Sequence, residues 1–120
     1  NLYFFLTKPL TFFHVRYCRK SVGALLVFDL TKRETFNQCA SWLNLLRDCA
    51  DPNAAIILVG NKVYKCLDDP KAREVEEDEA RQFAEENSLL YFETCGWLFY
   101  NVWETFERLI QGFNNIFIAN

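Results

Sequence analysis

Methionine is absent from these 120 residues, histidine occurs once, and no two cysteines form a CxxC pair. No apolar segment reaches the roughly 18 residues that a membrane span needs. The start has no basic region followed by an apolar core, which argues against a secretory signal. Without Met the stretch lacks an initiator, so a processed or partial product is expected. The odd set of five cysteines (Cys18, Cys39, Cys49, Cys66, Cys95) and the lone His14 make no zinc set. Reduced thiols in a cytoplasmic protein are the plain reading. A net charge of -3 offers no general attraction to nucleic acid or to an anionic membrane.

Hydrophobic residues make up 51% of the chain, and twelve are Phe. A single domain with a buried core follows. The charge is uneven. Residues 1–33 hold six basic side chains against Asp29 alone, and residues 68–86 hold nine acids against Lys71, Arg73 and Arg81. A solvated helix face accounts for the acidic stretch, with an acidic docking surface as the alternative.

The stretch that organises the chain is Ala54–Lys62. Its unbroken apolar run ends in Gly60-Asn61-Lys62, as a strand buried on both faces of a parallel sheet requires. Ligands collect at the carboxyl ends of strands in such sheets, which makes Asn61 and Lys62 candidate site residues. Val22–Phe28 is a second buried strand, closed by Asp29. Leu2–Leu6 has strand character, with nothing in it that suggests chemistry. Thr31-Lys-Arg-Glu34 has capping-box spacing, and Phe36, Cys39, Ala40, Leu43 and Leu46 form one helical stripe behind it. Asp51-Pro52-Asn53 turns the chain into the central strand. A polar loop is expected from Lys62 through Pro70, a helix over Glu76–Asn87 and a strand over Leu89–Thr94. A last helix, opened by the capping-box spacing of Asn101–Glu104, buries Val102, Phe106, Leu109, Ile110 and Phe113. Alternating strands and helices predict an α/β fold, three layers around a small parallel sheet.

Tyr17–Asp29, Thr31–Phe36, Trp42-Leu43, Ile56–Lys62, Arg73-Glu-Val75, Glu79-Ala80, Phe83-Ala84, Phe92-Glu-Thr94 and Asn101-Val102 fall in the order found in Rab-type small GTPases of the Ras superfamily. Residues 16–120 resemble the carboxyl-terminal part of that domain, behind a divergent segment 1–15. The resemblance implies a truncated P-loop GTPase fold and a family role in vesicle transport, with GTP or GDP and magnesium as ligands. It also implies that a central strand, absent here, belongs beside Val22–Phe28. Losing that strand leaves an apolar edge, from which self-association or marginal stability is expected.

The departures bear on chemistry. The family holds phosphates with GxxxxGK[ST] and places magnesium and water with DxxGQ. The 120 residues contain neither, and Tyr3–Thr7 stands near the place of the second. Hydrolysis and a nucleotide cofactor are therefore not expected of this chain alone. The family's Asn-Lys-x-Asp reads guanine. Asn61 and Lys62 match it, but Tyr64 replaces the carboxylate that accepts two guanine N–H groups. A re-registered Asp68 or Asp69 is the other candidate acceptor. In the second base loop Cys95 and Gly96 can offer backbone amides, while Trp97 replaces a lysine. Trp97-Leu-Phe-Tyr100 either tucks onto the core or forms a patch for a protein partner. No terminal cysteine is present for prenylation, so membrane association rests on the family alone. The resulting expectation is a pseudo-GTPase or truncated GTPase domain acting as an interaction module. The alternative is a GTP-binding Rab-family GTPase whose phosphate-binding half lies outside these residues.

Overall fold

The computed structural model describes residues 2–6, 23–49, 55–94 and 116–119. Five parallel strands form one sheet: β1 (Leu2–Leu6), β2 (Gly23–Asp29), β3 (Ala55–Asn61), β4 (Leu90–Thr94) and β5 (Ile116–Ala119). Their spatial order is β1-β5-β2-β3-β4. Between β2 and β3 lie helices α1 (Arg33–Asn37) and α2 (Cys39–Cys49). Between β3 and β4 lie the short helix α3 (Val63–Asp68), a 3-10 turn at Pro70–Ala72 and helix α4 (Glu77–Glu86). This is a parallel α/β fold of truncated Ras-like type.

The unbroken apolar runs do what their pattern implies. In β2, Ala24, Leu26 and Phe28 pack into one core with Trp42, Leu43 and Leu46 of α2 and with Ala80 and Ala84 of α4. Leu25, Val27, Ile57 and Val59 alternate with them and are equally buried, so both faces of the centre are covered. Phe28, Phe36 and Phe83 extend this core as a chain of ring contacts, with centroids 5.0 and 5.5 Å apart. Helix α4 follows its sequence closely. Glu77, Asp78 and Glu79 occupy its first turn, where the macrodipole favours acids. At its other end Ser88 takes a left-handed conformation, φ 59°. The Leu89 N–H then donates to the Ala84 carbonyl at 2.8 Å and the Ser88 N–H to the Glu85 carbonyl at 3.2 Å, a Schellman closure.

Three expectations are corrected. The capping box at Thr31 does not form. Asp29 is two residues away, and its Oδ1 takes both the Thr31 N–H at 2.8 Å and the Thr31 hydroxyl at 2.6 Å. Helix α1 begins after Lys32 instead, and the carboxylate that meets its first N–H groups is Glu74, accepting from the Arg33 N–H at 3.1 Å. The loop after Lys62 is largely helical, because Cys66 is buried and draws Val63–Asp68 onto the core. Finally, the edge of β2 is not open. Ile116–Ala119 pairs with Ala24–Leu26, and β1 pairs with β2 beyond it. The last helix expected over residues 101–113, and the turn at residues 51–53, lie outside the described residues.

Candidate functional site

Strands β2 and β3 end level, with Asp29 opposite Asn61. Polar groups therefore appear together where the apolar runs stop. The Leu30 N–H donates to the Asn61 carbonyl at 3.0 Å, which fixes the exit of both strands. Lys62 follows in the left-handed region at φ 68°, a conformation that costs a non-glycine residue roughly 1–2 kcal/mol. Two contacts hold it there. The Asn61 Oδ1 accepts the Lys62 N–H at 2.8 Å, and the Lys62 ammonium sits 2.6 Å from Asp29 Oδ2.

Asp29 is mostly buried. Burial pushes its carboxyl up, but the Lys62 ammonium and the two Thr31 donors outweigh that and hold it below the ordinary carboxylate value. The Asp29 N–H donates to Thr35 Oγ1 at 2.9 Å, and the Thr35 hydroxyl donates to the Lys32 carbonyl at 2.7 Å. The ion pair thus stands on a framework tied to the start of α1.

A second polar cluster lies one strand over, where Gly60 is opposite Glu93. Arg73 grips Glu93 with two bonds, at 2.8 and 3.0 Å, and also donates to the Val75 carbonyl at 3.0 Å. The Tyr91 hydroxyl donates to Glu93 Oε2 at 2.7 Å. Burial raises the Glu93 carboxyl, yet Arg73 and the Tyr91 hydroxyl hold it below the usual range. Burial and the adjoining Glu93 carboxylate push the Tyr91 phenol well up, so it stays a hydroxyl donor at neutral pH. Gly60 makes room for this arrangement. A Cβ there would lie 2.6 Å from the Tyr91 hydroxyl.

Of the site residues expected from sequence, Asn61 and Lys62 are brought together at the end of β3. Tyr64 lies in the first turn of α3 and is 45% exposed. Asp69 spends one oxygen on the Lys71 N–H at 3.1 Å, as the cap of the 3-10 turn, and so serves the backbone. Cys95, Gly96 and Trp97–Tyr100 lie outside the described residues. Sequence reading missed Asp29 as the partner of Lys62 and the Arg73–Glu93–Tyr91 group. The signal for Asp29 was its place as the one acid closing an apolar strand. The other group, split between β4 and the stretch ahead of α4, gave none beyond the family-like order of Arg73 and Glu93.

The resemblance to Rab-type small GTPases implies GTP or GDP with magnesium. No group of three His, Cys, Asp or Glu side chains converges among the described residues. The Lys62 ammonium lies on Asp29, and Tyr64 occupies the position where the resemblance expects a guanine-reading carboxylate. Also among the described residues, no helix is long and apolar enough to cross a membrane.

Comparison with known proteins agrees with the order of the motifs. Residues 10–115 match the family described as the Ras family. The chain is 44% identical over 94 residues to the Ras-related protein RABA6a of Arabidopsis thaliana, covering 78% of this chain and 39% of that protein. It is 46% identical over 95 residues to human Ras-related protein Rab-25, covering 79% and 43%. To Ras-related protein Rab-4B of Rattus norvegicus it is 49% identical over 92 residues, covering 77% and 41%. The chain spans 39–43% of the length of these curated relatives. A match running through the organising strand, both polar clusters and the helices between them leaves one conclusion: the chain belongs to the Ras family, among proteins of Rab type.

Proposed function

We propose that this chain acts as a Rab-type interaction module in vesicle trafficking, a scaffold that keeps the family's sheet and helices without its grip on nucleotide. The observation that carries the reading is the state of the base-end residues. Lys62 is paired with Asp29, Asn61 Oδ1 caps its own neighbour's N–H, and position 64 offers a phenol. A phenol supplies one acceptor site where guanine presents two donors, and a buried N–H left without a partner costs about 1–3 kcal/mol. The contacts of a protein partner would fall on the surface, where Leu67 and Tyr64 already stand out at 76% and 45% exposure, and on Trp97–Tyr100.

The test is titration of a fluorescent GDP analogue with magnesium at micromolar protein. No saturable response is expected. Saturable binding displaced by GDP but not by ADP overturns the reading.

The coverage of the relatives supports a second reading, a GTP-binding Rab GTPase regulating vesicle transport whose phosphate-binding half lies outside these residues. Coding sequence carrying GxxxxGK[ST] and then DxxGQ ahead of residue 1 favours it. Nucleotide binding by that longer chain and not by this one separates the two.

A further inference from the structure

Strand β5 is inserted between two strands that also pair with each other. On one side it pairs with β1 over Leu2↔Ile116, Tyr3↔Phe117, Phe4↔Ile118 and Phe5↔Ala119. On the other it pairs with β2 over Ala24↔Phe117, Leu25↔Ile118 and Leu26↔Ala119. Where β5 stops, β1 meets β2 directly, at Phe5↔Leu26 and Leu6↔Val27. The sheet is therefore a fork. β1 lies one strand spacing from β2 at Leu6, and two spacings, roughly 10 Å, at its amino end.

The three registers agree with one another. Followed across β5, Tyr3 is level with Ala24 and Phe4 with Leu25. Continued backwards from Phe5↔Leu26, the direct β1–β2 pairing puts Tyr3 opposite Ala24 and Phe4 opposite Leu25 as well. Removing β5 thus lets β1 close onto β2 along its whole length without a slip in register. Register normally resists such changes, because a one-residue slip turns every side chain to the wrong face. Here no slip is asked for.

We infer that β5 is a displaceable strand, and that the sheet has two closed states of the same register: five strands with Ile116–Ala119 inserted, and four strands with β1 zipped onto β2 and the carboxyl-terminal segment released. The edge of β2 is paired in both. The two states differ in a strand's worth of hydrogen bonds, those of the Ile-Phe-Ile-Ala segment. The inference stands apart from the nucleotide question, since no residue of the base end takes part.

Hydrogen exchange read residue by residue tests it. In the wild-type chain, amides of Phe117–Ala119 exchange about tenfold or more faster than those of Leu58 and Val59 in β3, through an opening that leaves β2 and β3 protected. Ile118→Pro removes an N–H that a doubly paired strand cannot spare, and it holds the chain in the four-stranded state. Its residues 116–119 lose protection, while Phe4–Leu6 and Leu25–Val27 keep theirs within about a factor of three. Ile118→Val behaves as wild type. The inference is overturned if β1 loses protection together with β5 in Ile118→Pro. It is overturned equally if wild-type β5 exchanges only at the rate of β3, a reading that does not require the proline variant to fold.

Discussion

Replacing Gly60 with alanine places a methyl carbon 2.6 Å from the Tyr91 hydroxyl and 2.9 Å from Leu30 Cδ2. The Leu30 overlap is ordinary overpacking, worth about 1–3 kcal/mol. The Tyr91 overlap is different in kind. That hydroxyl is held at 2.7 Å from Glu93 Oε2, so yielding to the methyl breaks a bond to a charged acceptor, worth about 1.5–3 kcal/mol. Gly60→Ala should therefore destabilise the fold by roughly 2.5–6 kcal/mol. Tyr91→Phe removes the obstructing oxygen and keeps the ring. In that background Gly60→Ala should cost only the Leu30 share, so the cycle should show a coupling of about 1.5–3 kcal/mol. Urea unfolding followed by tryptophan fluorescence reads it. With a slope of about 1–3 kcal/mol per molar, the coupling moves the midpoint by roughly half a molar or more. Costs that add to within about 0.5 kcal/mol would show that the hydroxyl is not what Gly60 accommodates.

Two further outcomes follow from the same geometry. Asp29 and Glu93 both titrate below their ordinary values, so their contribution to stability is present above the unfolded carboxylate range and is lost as pH falls through the folded values. Between about pH 5 and pH 3 the wild type should lose stability more steeply than Glu93→Gln, which cannot titrate; parallel curves by denaturant midpoint would refute this. Ser88 sits at φ 59° in the position where a Schellman closure favours glycine, so Ser88→Gly should raise stability by about 1 kcal/mol, seen as a higher Tm.

What could be read in the sequence was whatever depends on continuous or periodic burial. Ala55–Asn61 and Gly23–Asp29 announced themselves because a strand covered on both faces has no room for polar residues. Helix α4 did so because its acids and its Ala80, Phe83 and Ala84 stripe agree with each other. The readings that failed were local ones overruled by a distant or competing partner. Thr31 has the right neighbours for a capping box, but Asp29 reaches its hydroxyl first. Val63–Asp68 carries no strong helix signal, and Cys66 is buried because the core needs it there. Asn61 and Lys62 were legible as a site because they follow an apolar run. Their actual partner was not, since nothing in the spacing of Asp29 and Lys62 says that two strands end level. β5 was hidden for the same reason, as four apolar residues carry no mark of the strands they will separate.

The cap on helix α1 has a bearing on how the chain assembles. The carboxylate that accepts its first N–H, that of Arg33, belongs to Glu74, and the Arg33 guanidinium is held by the Glu74 carbonyl at 2.9 Å and by Glu79 at 2.7 Å. A nascent chain that has emerged only as far as α2 has neither group, and a five-residue helix without them is far too short to persist in water. Excised as a peptide, residues 29–49 should show no helix over Arg33–Asn37 by circular dichroism or amide protection. The first helix among the described residues thus waits for a segment forty-one residues downstream.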